Sequence, residues 1–344
     1  MPRFAKLAWA LLAYNLLVIA WGAYVRASGS GAGCGAHWPL CNGEILPRTP
    51  GVEMLVELSH RISSGMSLVF GLALAIYAQR TYPRGAQVRR GAWTAFGLVC
   101  AEALIGAALV LFELVAHDQS MKRALSMALH LTNTFFLLAA LSLTAFWASL
   151  PGKIRGGEER VEGPRVEGPR PAMLPWVMGA AIFGMLLLGV SGAVTALGDT
   201  LFPARSVSEG LAQDLASGAN VFIRLRLLHP VIATAVACLV LLAATISRLQ
   251  RPVAPVRSLA RLLSILVLAQ MVAGIANVAL LAPIFMQLVH LLLADSVWIT
   301  LVLLTASALA PATEAAGPWP HPARPLPQDL PDREERAGGA AGAA

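Results

Sequence analysis

Long apolar runs separated by short polar segments form the dominant pattern of the chain. Eight of these runs reach the ~20 residues that a helix needs to cross a hydrocarbon core of about 30 Å. They cover residues 7–25, 55–78, 92–113, 124–148, 174–197, 222–246, 259–281 and 284–309. The alternating pattern of outer-membrane barrel strands does not occur in them. The sequence therefore predicts an all-α integral membrane protein with eight transmembrane helices, the first of which we interpret as a retained helix and not as a secretory signal.

The eight runs divide into two similar sets of four. His60 and His229 lie 169 residues apart, and Glu102 and Gln270, each preceded by an alanine, lie 168 residues apart. The ends of the first and fifth runs match again at an offset of 169. A recurring offset indicates an internal repeat, and both sets start on the same side of the membrane. We therefore predict two pseudo-twofold-related four-helix bundles.

A polar segment separates the two sets. Residues 151–171 contain Arg-Val-Glu-Gly-Pro twice, which is typical of a flexible cytoplasmic linker. We expect an N-terminal bundle with its outer loop over residues 1–150 and a C-terminal bundle over residues 172–310. Residues 311–344 are rich in proline, alanine and glycine, and this composition predicts a disordered cytoplasmic tail.

The charged residues fit a membrane protein and indicate its orientation. Charged residues make up 13% of the chain, about half the fraction found in soluble domains, which excludes a soluble globular fold. With the N-terminus in the cytoplasm, 18 of the 26 lysines and arginines fall on the inner side, as the positive-inside rule requires. The net charge of +7 is therefore explained by topology, and we expect no nucleic-acid partner.

Four histidines lie inside the apolar runs at matching places of the two halves, namely His60, His130, His229 and His290. An imidazole inside lipid has no water for its ring nitrogens, so it is by default a functional-site hypothesis. Each lies about 6–8 residues inside the outer end of its run, so two imidazoles per half can face each other at one level. This favours bis-imidazole binding of heme iron in each bundle. Hydrogen bonding between helices and a zinc site, which would need four ligands in one place, are the alternatives.

The two halves differ beside the first histidine. Glu57 lies three residues before His60 and four before Arg61, so these side chains can share a helix face. The repeat offset places Arg226 opposite Glu57 and Pro230 opposite Arg61. A carboxylate inside the membrane is costly unless it has a partner or takes part in the function. Glu57 is therefore the candidate catalytic group, which would accept a proton or stabilise positive charge as a bound macrocycle is oxidised. The alternative is a structural ion pair with Arg61.

Other charged side chains lie near the predicted sites. Candidate partners of heme propionates, which favour basic side chains, are Lys122, Arg123, Arg224 and Arg226. The alternative for these cations is ordinary snorkelling at the membrane interface. Glu102 and Glu113 are candidates for proton movement. For Glu102 we expect hydrogen bonding between helices, because its counterpart in the repeat is the neutral Gln270.

The first outer loop contains Cys34 and Cys41, seven residues apart in a segment rich in glycine and proline. The topology places both on the oxidising side of the membrane, where disulfides persist. Such a pair can be a structural staple that holds a lid over the first bundle, or a redox-active dithiol that exchanges electrons with the site. The sequence leaves both interpretations open.

Several motifs together resemble the heme A synthase family: Gly29-Ser30-Gly31 with Gly33-Cys34, Trp38-Pro39-Leu40-Cys41-Asn42-Gly43, Glu57-x-x-His60-Arg61, His130, His229 and Gln287-Leu288-Val289-His290. The resemblance covers about residues 7–309. It implies a bacterial plasma-membrane enzyme that oxidises the C8 methyl of heme O to a formyl group, giving the heme A of cytochrome oxidases. It also implies that His60 and His130 bracket the substrate heme with Glu57 catalytic, and that His229 and His290 bind a heme b cofactor.

The resemblance also implies partners and leaves rivals. We expect a heme O synthase to supply heme O, and an electron donor or acceptor whose nature the sequence does not give. The lipid bilayer surrounds the protein, and a homo-oligomer is left open. The chain departs from some members in having no second cysteine pair in residues 198–221. The main rival is a diheme b-type electron-transfer protein resembling quinol oxidoreductases. A transporter built on the repeat is a second rival, which the lack of paired broken helices disfavours.

Overall fold

The structure is a computed structural model. It describes residues 1–45, 48–150, 172–216, 218 and 222–310, and the backbone alone at 153–155, 158–160, 166–167, 221 and 312–313. Most of the predicted linker over 151–171 and of the predicted tail over 311–344 therefore lies outside the described residues.

The described residues form nine α-helices, eight of which are long and apolar enough to cross a membrane. The eight are α1 (Arg3–Ala27), α2 (Val52–Thr81), α3 (Gln87–Leu111), α4 (Met121–Ser149), α5 (Leu174–Leu201), α7 (Val221–Gln250), α8 (Ala254–Ala279) and α9 (Ile284–Ala308). The ninth, α6 (Val207–Leu215), has nine residues and follows α5. A 3-10 turn covers Ser30–Ala32. The prediction of an all-α membrane protein with eight spanning helices is confirmed.

Four very short strands accompany the helices. They are β1 (Lys153–Arg155), β2 (Glu158–Arg160), β3 (Val166–Glu167) and β4 (Ala312–Thr313). β1 pairs antiparallel with β2, and β3 pairs parallel with β4. These pairings were not predicted, and they involve only backbone groups of the segments that the sequence assigns to the linker and the tail.

The helix ends follow ordinary capping chemistry. Ser120 precedes α4, and its side chain accepts a hydrogen bond from the Arg123 backbone N–H. The Ser206 side chain likewise accepts a hydrogen bond from the Glu209 backbone N–H at the start of α6. Both contacts satisfy donors that the first turn of a helix leaves unpaired. Pro230 lies inside α7, where it removes the N–H that would bond to the carbonyl of Arg226.

The helices pack as two rings of four. In the first ring, α1 and α3 each contact both α2 and α4. In the second ring, α5 and α8 each contact both α7 and α9. The rings meet where α4 lies against α5 and α9, and where α1 lies against α9. This arrangement agrees with two four-helix bundles, and the pseudo-twofold axis that relates them stays a prediction.

A buried aromatic pair fixes the boundary between the rings. Trp298 of α9 is almost fully buried, and its ring stacks on Phe135 of α4 with centroids 4.9 Å apart. The Trp298 indole N–H also donates a hydrogen bond of 2.7 Å to the Phe135 carbonyl. A buried indole needs such an acceptor, so the pair sets both the distance and the register of α4 against α9.

Candidate heme-binding sites

The structure brings the four intramembrane histidines together in the two predicted pairs. In the first ring α2 carries His60 and α4 carries His130, and α1 and α3 lie between these helices. The two imidazoles are close enough that a charge on one acts on the other. The same holds for His229 of α7 and His290 of α9 in the second ring. Each bundle therefore has two imidazoles on opposite helices.

Three of the imidazoles lie against glycine backbone on a neighbouring helix. A methyl group built on each glycine would come within 2.8 to 3.2 Å of the Cε1 atom of the ring, closer than ordinary van der Waals contact. The pairs are His60 with Gly22, His229 with Gly192 and His290 with Gly274. Only glycine leaves the rings this space, so these residues form part of each histidine's seat.

Side chains hold two of the imidazoles through Nδ1. His130 Nδ1 lies 2.9 Å from Glu102 Oε2 of α3. His229 Nδ1 lies 2.8 Å from the Ser191 hydroxyl of α5. A partner at Nδ1 fixes the orientation of the ring and leaves Nε2 for a metal. Both residues are thus arranged as metal-binding histidines usually are.

The other two imidazoles have a ring nitrogen with no partner. Within the described residues, Nδ1 of His60 and of His290 is buried without a hydrogen bond. Gln270 of α8 instead reaches Nε2 of His290, at 3.2 Å. Buried polar atoms without partners are rare in native structures. Gln270 must release Nε2 if His290 is to bind a metal through it.

These donors suit heme iron better than zinc. The described residues contain no group of three or more His, Cys, Asp or Glu side chains that could hold a metal ion, whereas a structural zinc site gathers four ligands. A heme supplies four nitrogens of its own and needs only the two axial positions from protein. Two paired imidazoles in each bundle therefore fit heme.

Glu57 is buried and fully engaged. Its side chain lies on α2, and the residue is 4% exposed. Oε1 accepts hydrogen bonds from Arg61 Nε at 3.1 Å and Nη2 at 2.5 Å. Oε2 accepts one from the Cys34 backbone N–H at 2.8 Å. The ion pair weighed from the sequence is present, and the carboxylate also contacts the outer loop. Glu57 thus ties that loop to the helix that carries His60.

The outer loop is closed by a disulfide between Cys34 and Cys41, as predicted. Both cysteines are completely buried. Arg61 Nη1 donates to the carbonyls of His37 at 2.6 Å and Leu40 at 2.8 Å, both inside the disulfide ring. The ring is therefore held on α2 by the same side chain that pairs with Glu57.

The predicted propionate partners have different surroundings. Arg226 pairs with Asp199 of α5 at 3.3 Å and with Asp214 of α6 at 3.1 Å. Burial raises the pKa of Asp214, and the guanidinium of Arg226 opposes that rise. Arg123 is buried and donates to the carbonyls of Ala116 and Asp118, at 2.6 and 2.9 Å. Lys122 and Arg224 are exposed near the outer ends of α4 and α7.

Sequence reasoning missed the role of Arg26. Its Nη1 donates to the Ala196 carbonyl and the Thr200 hydroxyl of α5, both at 2.7 Å. Its Nη2 donates to Gln287 Oε1 of α9 at 2.8 Å. Arg26 therefore joins α1 to α5 and α9, and its partner Gln287 lies one turn before His290 on α9. The sequence signal was a lone arginine at the end of the first apolar run.

Asp295 was also missed. It lies in the middle of α9 and is completely buried, and neither carboxyl oxygen has a hydrogen-bond partner among the described residues. A single acidic residue inside an apolar run is a signal that the sequence offered.

Comparison with known proteins identifies the family. A family model described as cytochrome oxidase assembly protein, COX15-CtaA, matches residues 5–302. The chain belongs to the COX15-CtaA family. This membership confirms the resemblance to heme A synthases and supports a multi-pass membrane protein.

Individual relatives of this COX15-CtaA member differ in length. The chain is 48% identical over 307 residues to a protoheme IX farnesyltransferase of Thermus thermophilus, a match that covers 89% of this chain and 48% of that protein. It is 34% identical over 151 residues to a heme A synthase of Alkalihalophilus pseudofirmus, covering 44% of this chain and 46% of the relative. A heme A synthase of Bacillus mycoides is 39% identical over 113 residues, covering 33% and 36%. The chain spans about half the length of the curated relatives it matches most fully.

Proposed function

We propose that this protein is a membrane oxidoreductase that converts heme O to heme A by successive oxidation of the C8 methyl to a formyl group. The observation that carries the proposal is the buried carboxylate of Glu57, one helical turn from His60 in the bundle where His60 and His130 form a pair. Relatives named heme A synthase support the same activity.

The proposal assigns each bundle one heme. His60 and His130 hold the substrate heme O, and His229 and His290 hold heme b. The Nδ1 partners of His130 and His229 and the glycine seats support this assignment. When bound, heme iron supplies the redox chemistry that removes electrons from the substrate. The chain itself supplies the imidazoles, their orientation and the dry surroundings.

Glu57 acts as the proton acceptor in this proposal. Its Oε1 accepts hydrogen bonds from Arg61 and its Oε2 accepts one from the Cys34 N–H. Each oxidation of the methyl carbon removes electrons and protons together, and the formyl oxygen enters from water, so a carboxylate can receive the released protons. The disulfide ring that contacts Glu57 acts either as a staple or as a redox-active pair.

The basic side chains near the outer surface are the proposed partners of the heme propionates. Lys122 and Arg123 serve the first bundle, and Arg224 and Arg226 serve the second. Arg123 and Arg226 already have oxygen partners, so a propionate must share or exchange those contacts. A propionate salt bridge would add a charge-assisted bond of the kind that fixes a macrocycle's orientation.

The proposal includes the surroundings of the protein. Residues 1–150 form the substrate bundle and residues 172–310 the heme b bundle, joined by the linker 151–171 and followed by the tail 311–344. Both termini lie in the cytoplasm of a cell bounded by the plasma membrane. A relative named protoheme IX farnesyltransferase contains a segment 48% identical to this chain, which supports a farnesyltransferase of that type as the source of heme O.

The test is a charge-removing substitution at Glu57. Glu57→Gln should retain both hemes but accumulate heme O or partly oxidised heme, measured by chromatography of extracted heme. Glu53→Gln, an exposed residue one turn earlier on α2, is the matched control and should give heme A at the level of the unmodified protein. Full heme A yield from Glu57→Gln would remove Glu57 from the reaction. Heme b alone in the unmodified protein, even with heme O supplied, would instead support the diheme electron carrier.

A further inference from the structure

One acidic side chain distinguishes the first heme site from the second. Glu102 Oε2 of α3 lies 2.9 Å from His130 Nδ1. Gln270 holds the corresponding place in the sequence repeat, but its amide lies 3.2 Å from Nε2 of His290 and not from Nδ1. Within the described residues, the other partners of the four imidazoles are neutral, because His229 contacts the Ser191 hydroxyl. The two sites therefore differ by one negative charge next to an axial histidine.

Three hydrogen-bonding side chains surround the carboxylate of Glu102. The Asn133 amide donates to Oε2 at 2.8 Å, and the Thr134 hydroxyl donates to Oε1. With His130, both oxygens have hydrogen-bond donors. An ionised carboxylate accepts at both oxygens, whereas a protonated one must use one position to donate. Asn133 and Thr134 follow His130 on α4 by three and four residues, so one face of α4 surrounds the carboxylate.

An anion in this place acts on the axial imidazole in two ways. Accepting the Nδ1–H of His130 increases the electron donation of Nε2 to a bound iron. The negative charge also stabilises the more positive state of the metal, and this effect is strong in the low dielectric of a membrane bundle. Both effects favour the ferric over the ferrous state, and a neutral amide at Gln270 provides neither.

We propose that Glu102 is a positioning residue that lowers the reduction potential of the first heme site below that of the second. The inference rests on the proposed heme binding by His60, His130, His229 and His290. Its consequence is a direction for electron flow. A lower potential in the substrate bundle makes transfer of electrons toward the second bundle favourable, so Glu102 helps to keep the substrate site oxidised.

The experiment is a pair of reciprocal substitutions in the heme-loaded full chain. Glu102→Gln gives the first site the amide that the second already has, and Gln270→Glu does the reverse. Redox titrations followed by heme absorbance resolve the two sites, and His290→Ala identifies the transition that belongs to the second bundle. We expect Glu102→Gln to move the first transition to a more positive potential and Gln270→Glu to move the second to a more negative one.

A control separates charge from packing. Thr134→Val removes one hydrogen bond to Glu102 but keeps the carboxylate, so it should lower thermal stability and shift the potential less than Glu102→Gln does. An unchanged first transition in Glu102→Gln, with heme content equal to that of the unmodified protein, would overturn the inference. If Glu102→Gln binds no heme, Gln270→Glu decides, and an unchanged second transition overturns the inference. Absence of heme from the unmodified protein would refute the proposed function instead.

Discussion

The contact between Gly22 and His60 provides a sharp test of the first heme site. Replacing Gly22 with alanine adds a methyl group 2.8 Å from Cε1 and 3.0 Å from Nε2 of the imidazole. Ordinary van der Waals contact begins at 3.4 Å, so the ring or the helix α1 must move by about 0.6 Å. We expect Gly22→Ala to weaken heme binding in the first bundle because an axial ligand is displaced.

Two opposing effects set the change in the free energy of unfolding of Gly22→Ala. Overpacking a close contact costs about 1–3 kcal/mol, and replacing glycine by alanine within a helix stabilises by roughly 1 kcal/mol. The free energy of unfolding therefore falls by up to about 2 kcal/mol, which corresponds to roughly 30-fold in the folding equilibrium constant. Gly106→Ala is the matched control, because a methyl group there meets nothing within 4 Å. It should be neutral or stabilise by roughly 0.5–1 kcal/mol.

The assay is a titration of purified protein with heme, followed at the Soret band, together with thermal unfolding of the protein without heme. Gly22→Ala should show weaker binding at one of the two sites, and Gly106→Ala should match the unmodified protein. Equal affinity in both variants would refute the view that His60 binds iron from its seat on Gly22. A loss at both sites would point to misfolding, which the unfolding curves would reveal.

Two further predictions concern stability. The double variant Cys34→Ser with Cys41→Ser should lower the thermal midpoint, since closing a ring of this size contributes roughly 2.5 kcal/mol in the loop-entropy treatment. A reducing agent should lower the midpoint of the unmodified protein equally, and unequal effects would contradict a purely structural staple. Asp295→Val should raise the midpoint, because a buried carboxyl without a partner costs about 1–3 kcal/mol. A lower midpoint would show that Asp295 has an essential partner.

The sequence predicted much of the candidate site for reasons that depend on spacing alone. Glu57 and Arg61 are four residues apart on one helix, so their ion pair follows from helical geometry. The disulfide followed from two cysteines close together on the oxidising side. The histidine pairs were predicted from matching places in two similar halves, where His60 and His229 lie 169 residues apart and His130 and His290 lie 160 apart. Each prediction needed only a position along one helix or one loop.

Other features were missed although the sequence contained a signal. The helix α6 was not predicted in the outer loop that begins at residue 198, yet Ser206 and Glu209 have the spacing of a helix start, and the Ser206 side chain caps that helix. The carboxylate of Asp295 stood alone in an apolar run. Hydropathy averaged over a long window detects neither a short helix in a loop nor a single polar residue in an apolar run.

The sequence by itself determined that eight helices are long and apolar enough to cross the membrane and how far along its helix each histidine lies, because the apolar runs show where each helix begins and ends. Only the tertiary structure decided that Glu102 meets His130, that Gly22 seats His60 and that Arg26 joins the two bundles. These contacts depend on how each helix is rotated and shifted against its neighbours. Lipid and a neighbouring helix are equally apolar, so hydropathy cannot select that rotation, and close packing and hydrogen bonds between helices select it instead.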